Sequence, residues 1–115
     1  MKDFALVFRQ PNVDYSDISP KELESLLGKW KDWIGGISAQ GKFNGQNTRL
    51  APEGKVLKSS GVVTDGPFVE IREILGGILV VKAKDLDEAT TLAHGCPVLD
   101  RGGSIEIRPI YVQGE

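Results

Sequence analysis

Apolar residues recur along this chain in short runs that predict the strands of a sheet. Phe4-Ala5-Leu6-Val7-Phe8 places apolar side chains on both faces, which is typical of a central strand. A second run of this kind covers residues 78–83 and follows Gly76-Gly77. Residues 104–112 alternate between apolar and polar positions and predict a closing strand, in which Pro109 favours an edge or a bulge.

Two other stretches have the three- and four-residue spacing of amphipathic helices. Ser19-Pro20-Lys21-Glu22 predicts a helix start, because it combines an N-cap, a proline at the first helical position and a glutamate three residues after the cap. The inward stripe predicted for this helix is Leu23, Leu26, Leu27, Trp30, Trp33, Ile34 and Ile37. Asp85-Leu86-Asp87-Glu88 predicts the start of a shorter helix that Gly95 and Pro97 end. Its predicted inward stripe is Leu86, Ala89, Thr90 and Ala93.

The segment between the two helices is rich in turn-forming residues. Gly35-Gly36 and Gly41 are expected to end or fray the first helix, and residues 41–47 predict a loop before a short strand at 48–50. Ala51-Pro52-Glu53-Gly54 predicts a tight turn, because proline and glycine occupy its second and fourth positions. This turn predicts a hairpin that returns into Lys55-Val56-Leu57.

The predicted order of elements indicates the fold class. Strand, helix, strand pair, strand, helix and strand correspond to an α+β sandwich with ferredoxin-like β-α-β-β-α-β order and both helices on one face. A length of 115 residues with 40% hydrophobic content corresponds to a single domain, residues 1–115. The other face of the sheet carries apolar side chains without a cover. It predicts a homodimer, because a second copy packed sheet to sheet would bury it.

Charge and cysteine content narrow the classes of partner. A formal net charge of −2 with interspersed acidic and basic residues argues against nucleic-acid binding. No apolar run reaches the roughly 20 residues that span a bilayer, and no signal-peptide core follows Met1, so we expect a soluble cytoplasmic protein with no membrane partner. Cys96 is the single cysteine, which fits a reducing compartment. It lies two positions after the single histidine, His94, and the two supply too few ligands for a metal site, so we expect no metal and no cofactor.

The most distinctive motif is Asp65-Gly66-Pro67-Phe68-Val69-Glu70, which predicts an acid in a rigid turn. Through this motif the chain resembles a YCII-related protein of the DGPF-domain branch, and the resemblance extends over nearly its whole length. The other segments that carry it are Leu75-Gly76-Gly77, Cys96-Pro97 and Gly103-Ser104-Ile105-Glu106-Ile107-Arg108-Pro109.

This resemblance implies a dimeric α+β barrel with a cleft near the acidic motif. In the family the aspartate is paired with a histidine on the first helix. Asp65 occupies the aspartate position here, whereas the first helix offers Trp30 and Trp33 and no histidine, so the pair is not transferred. A chlorinated-aromatic dehydrochlorinase is among the family's few assigned activities, and no residue of this chain selects that substrate.

Asp65 is the candidate catalytic residue. A barrel interior that removed its carboxylate from water would allow it to act as a general acid or base. The alternative is structural, since aspartate before glycine commonly accepts hydrogen bonds from nearby backbone N–H groups in an Asx-type turn. The sequence leaves both roles open.

The candidate ligand-binding residues are Phe68, Glu70, Arg72, Trp30, Trp33 and His94. Each also has a structural interpretation: the aromatic rings suit a core, the charged residues suit a solvated face, and His94 suits the last turn of a helix. Indole rings at the mouth of a barrel favour a small aromatic or planar ligand. Arg9 and Arg49 are candidates to meet an anionic ligand, although surface positions are the usual place for arginine.

Two functions agree with these observations. The first is a dimeric small-molecule-binding protein or cofactor-independent enzyme in which Asp65 transfers a proton. The second is a non-catalytic dimeric module that serves a structural or protein-interaction role, in which the acidic motif contributes architecture alone.

Overall fold

The computed structural model of the protein describes residues 1–11, 18–51, 53–66 and 73–112. A 3₁₀ helix, Pro97–Arg101, precedes the last of the strands that it describes. The other elements, in chain order, are β1 (Lys2–Pro11), α1 (Pro20–Ala39), β2 (Phe43–Arg49), β3 (Gly54–Leu57), β4 (Val63–Gly66), β5 (Glu73–Ala83), α2 (Leu86–Ala93) and β6 (Ser104–Pro109).

The main sheet has four antiparallel strands in the order β2, β5, β1, β6. Helix α1 connects β1 to β2 and helix α2 connects β5 to β6, so the arrangement has the ferredoxin-like order predicted from the sequence. Strands β1 and β5 occupy the centre, as their two-sided apolar patterns predicted. Strand β6 lies at an edge, which is where Pro109 is tolerated.

The core lies on one face of this sheet. Leu6 of β1 stands opposite Leu79 of β5, and both side chains are fully buried. The same cluster contains Ile37 of α1 and Leu92 of α2, so both helices cover this face. On the opposite face, Val7 stands beside Ile78, which is 37% exposed.

The predicted hairpin around Ala51-Pro52-Glu53-Gly54 is wrong. Strand β2 begins at Phe43, inside the predicted loop, and pairs with β5, whereas β3 pairs with β4 in a separate two-stranded sheet. The turn of that second hairpin is at Lys58–Gly61: the Gly61 N–H donates to the Lys58 carbonyl at 2.8 Å, and Gly61 has a φ of 88°. The sequence showed turn residues at 51–54, but the pairing partner of β2 lies far away in sequence.

Helix α1 starts as predicted, with the Ser19 hydroxyl accepting a hydrogen bond from the Glu22 N–H at 3.1 Å. It continues through Gly35-Gly36 and ends at Ala39, before Gly41 with a φ of 71°. The prediction that Gly35-Gly36 ends the helix is therefore wrong, and glycine in this helix interior costs roughly 0.5–1 kcal/mol relative to alanine.

The apolar stripe of α1 is buried only in part. Ile37 lies in the core, whereas Leu23 and Leu27 are 44% and 53% exposed. These two leucines line a pocket, described below, instead of filling the core.

Helix α2 has the predicted acidic start, with the Asp85 carboxylate accepting from the Glu88 N–H at 2.8 Å. Its buried residues are Ala89, Leu92 and Ala93, whereas Leu86 and Thr90 are exposed. The predicted inward stripe was therefore correct at Ala89 and Ala93 and wrong at Leu86 and Thr90. None of the described helices combines the length and apolar character needed to cross a membrane.

Gly77 allows two strands to approach closely. It lies where β5 meets β2, and a Cβ added there would come within 2.6 Å of the Thr48 carbonyl oxygen.

Cys96 is 1% exposed, and burial raises the pKa of its thiol to about 11, against the lowering effect of a backbone hydrogen bond from Val98. Its thiol is protonated at neutral pH, so nothing here supports a nucleophilic role.

We expect Gly77→Ala to lower the free energy of unfolding by about 1–3 kcal/mol, because β2 must move away from β5. Urea unfolding at one fixed protein concentration measures this change. The matched control is Gly36→Ala, where an added Cβ meets nothing within 4 Å and the helix gains roughly 0.5–1 kcal/mol. Equal effects at the two glycines would contradict the close approach of β2.

The buried thiol predicts a pH dependence of stability. Because the pKa of Cys96 is higher in the folded chain than the ordinary 9.0, its contribution is complete below about pH 9 and is lost as the pH rises through about 11. Thermal unfolding of the wild type and of Cys96→Ala across this range tests the sign. A stability difference between the two proteins that does not change with pH would refute this account.

Candidate functional site

A pocket opens between the N-terminal half of α1, the end of β1 and the 3₁₀ helix, and we call it the Trp30 pocket. Its volume is about 130 Å³. An engineered apolar cavity of roughly 150 Å³ holds one benzene ring, so the pocket has the size of a single small ring. Its apolar walls are formed by Leu23, Leu26, Leu27 and Trp30 of α1 and by Pro97 and Val98 of the 3₁₀ helix.

Trp30 lines this pocket and is held in place by an aromatic cluster. The ring of Phe8 lies 5.3 Å from Trp30 and 6.0 Å from Trp33, and the two indoles are 5.7 Å apart, all in edge-to-face geometry. The Trp33 Nε1–H also donates to the Leu92 carbonyl of α2 at 3.0 Å. Such contacts restrict the indole orientations, so Trp30 has a defined position at the pocket.

Arg49 lies at the pocket as well, at the end of β2. Its guanidinium carbon is 5.3 Å from the centre of the Trp30 ring, a cation–π contact. The close approach of β2 to Gly77 and the hydrogen bond from the Leu50 N–H to the Gly76 carbonyl, 3.0 Å long, hold this strand end against the sheet. Backbone contacts on both sides of Arg49 therefore fix the position of its Cα.

The polar lining residues of the pocket are Gln10, Arg49 and Arg101. Only the two arginines are charged, and the described lining residues include no carboxylate. The Gln10 side chain packs on Gly76, where an added Cβ would meet the Gln10 Cδ at 2.9 Å. The sequence had indicated Trp30 and Arg49 as candidates but had missed Gln10, because only the pairing of β1 with β5 brings it beside Gly76.

Trp33 and His94 face a different groove, between α1 and α2. His94 is exposed and ends α2, where its backbone N–H donates to the Thr91 carbonyl at 3.2 Å. This position agrees with the structural interpretation of a histidine at a helix C-terminus. Asp65 is not among the described residues that line this groove.

Asp65 lies on strand β4, so the prediction of a turn at this residue is wrong. Its neighbour across the hairpin is Lys55, and the Lys55 Nζ donates to its carboxylate at 3.2 Å. The Asp65 side chain is 93% exposed in the single chain, and exposed ion pairs of this kind contribute little to stability. None of the described residues of one chain therefore removes this carboxylate from water.

The remaining predicted site residues, Phe68, Glu70 and Arg72, lie outside the described residues. Among the residues that are described, no group of three or more His, Cys, Asp and Glu side chains is placed to hold a metal ion.

Comparison with known proteins agrees with the resemblance to YCII-related proteins. A search of curated proteins found no significant match. The model of the YCII-related domain, in contrast, matches residues 31–112, which include most of the second half of α1 and every described strand after β1. The chain therefore belongs to the YCII-related domain family.

Proposed function

We propose that this YCII-related protein is a homodimeric binding domain for a small planar molecule, which it holds in the Trp30 pocket. The observation that carries the proposal is a ring-sized apolar pocket with a fixed indole among its lining residues. Ligand sites in proteins are mostly apolar concavities with a few convergent polar groups, and Gln10 and Arg49 are such groups here.

The homodimer is supported by two apolar surfaces that the described residues of one chain cover only in part. One is the face of the sheet opposite the helices, where Val80 is buried but Val7 is half-buried and Ile78 is 37% exposed. The other is the β3–β4 hairpin, on which Leu57 and Val63 are 73% and 55% exposed. An isolated two-stranded hairpin is marginally stable in water, so contact with a second copy would stabilise it. The radius of gyration, 15.8 Å, exceeds the roughly 13 Å expected of a compact chain this long, in line with an extended protomer.

Asp65 is not among the described residues that line the Trp30 pocket, so proton transfer by Asp65 is a separate part of this proposal, and it needs the second copy. A carboxylate in contact with water on an exposed strand has no property that suits it to acid–base catalysis at neutral pH. Cover from a partner would change the surroundings of the Asp65 carboxylate.

The Asp65-Gly66-Pro67-Phe68 motif supports placement of the protein in the DGPF branch of the family. The single cysteine favours the cytoplasm as the compartment of the protein.

The exposed Lys55–Asp65 pair favours a second candidate function, the non-catalytic dimeric module. In that case the pair only aligns β3 with β4, and the hairpin serves as a contact surface. The two candidates differ in whether Asp65 becomes covered.

We expect single-ring aromatic compounds to bind the Trp30 pocket with dissociation constants in the range of small fragments. A panel of neutral, anionic and cationic fluorinated rings, followed by ¹⁹F NMR, measures this binding. Leu27→Glu should weaken it strongly, because a ring bound against the apolar wall would have to cover the new carboxylate and remove it from water.

Leu86→Glu is the matched control for that substitution. Leu86 is also helical and is 46% exposed, against 53% for Leu27, but it does not line the pocket. Binding of no ring in the panel, or equal loss in the two variants, would contradict the proposed function.

We expect sedimentation to give twice the mass of the chain, and Ile78→Lys to give the mass of one chain, because lysine cannot be buried unpaired between two sheets. Leu86→Lys, on the helical side, should remain dimeric.

Carbodiimide labelling of the carboxylates then reports on Asp65. If a second copy covers Asp65, its labelling is slow in the dimer and fast in Ile78→Lys. Fast labelling in both would exclude Asp65 as the acid or base and favour the non-catalytic module.

A further inference from the structure

The Trp30 pocket has a charge asymmetry that its apolar walls do not require. Among its described lining residues the charged side chains are Arg49 and Arg101, and Arg101 also lines a neighbouring pocket together with Glu22 and Asp100. A positive side chain at a site attracts ligands of the opposite sign and disfavours those of its own. Arg49 therefore disfavours a cationic ligand here.

Arg49 has a particular geometry within this set. The described ion pairs join Arg9, Lys42, Lys55 and Arg108 to carboxylates, and Arg49 is not among them. Its contact is with the face of Trp30, 5.3 Å away. A guanidinium over an aromatic face keeps N–H groups available for a ligand, and its planar fork matches the two oxygens of a carboxylate.

The size of the cavity and the position of Arg49 together indicate the class of ligand. The cavity, about 130 Å³, has room for one ring, and Arg49 lies beside Trp30, whose indole lines the cavity. A flat ring among the leucines would therefore place a substituent next to the guanidinium. On the basis of the proposed function, we infer that the pocket selects single-ring aromatic carboxylates, with Arg49 as the residue that binds the carboxylate.

The experiment compares three probes that separate charge from shape. Benzoate has both the planar ring and the carboxylate, benzamide has the same shape without charge, and cyclohexanecarboxylate has the charge without the planar ring. Isothermal titration or ligand-detected NMR at pH 7 measures their dissociation constants. Benzoate should bind at least about tenfold more tightly than either of the others, since hydrogen bonds to charged groups are the stronger ones.

Substitutions assign this preference to one side chain. Arg49→Gln should weaken benzoate binding about tenfold or more and leave benzamide binding unchanged, and Arg49→Lys should restore it only in part, because lysine lacks the planar fork. Arg108→Gln is the control, because it removes the same charge at a different place. Arg108 lies on the opposite edge strand, β6, and does not line the pocket. Circular dichroism and the urea midpoint of each variant verify that it is folded.

The outcomes distinguish this inference from the proposed function. Equal binding of benzoate and benzamide, or an unchanged benzoate affinity in Arg49→Gln, would overturn the carboxylate preference and leave the pocket as a binding site for neutral rings. Equal weakening by Arg108→Gln would likewise overturn it, because the effect would then come from net charge alone. Failure of all three probes to bind the wild type would contradict the proposed function as well.

Discussion

The edge-to-face packing of Phe8, Trp30 and Trp33 is the contact on which the rest of the structure depends. Phe8 belongs to the central strand β1, the two indoles belong to α1, and the Trp33 N–H reaches the Leu92 carbonyl of α2. Sheet, first helix and second helix are thus joined at one place. Since aromatic side chains bury large areas with few rotatable bonds, this cluster sets the height and rotation of α1 above the sheet. With α1 in that position, Leu23 and Leu27 wall a pocket instead of filling the core.

A second constraint comes from Gly77, which has no side chain to separate the two strands that meet there. At Gly77 a Cβ would collide with the backbone of β2, so glycine there allows β2 to lie against β5 and to end with Arg49 above Trp30. Packing and strand approach therefore meet at the same pocket. The aromatic cluster positions the indole, and the glycine positions the strand that carries the cation.

The two faces of the main sheet differ in how far the single chain covers their apolar side chains. One face of the sheet is covered by two helices, while the opposite face and the β3–β4 hairpin expose valine, isoleucine and leucine. This distribution links the proposed dimer to the proposed proton transfer by Asp65, because a carboxylate that is 93% exposed in one chain can change its surroundings only when something else covers it. The Trp30 pocket lies on the helical side and Asp65 is not among its described lining residues, so the two proposals rest on different surfaces.

Local signals determined much of this protein from its sequence alone. Ser19, Pro20 and Glu22 located the start of α1, Asp85 located that of α2, and the apolar runs identified β1 and β5 as central, which was enough for the ferredoxin-like order. The partner of β2, the strand location of Asp65 and the juxtaposition of Gln10, Trp30 and Arg49 required the tertiary structure. Caps and periodicity depend on residues a few positions apart, whereas strand pairing and pocket walls depend on residues that only the folded chain brings together.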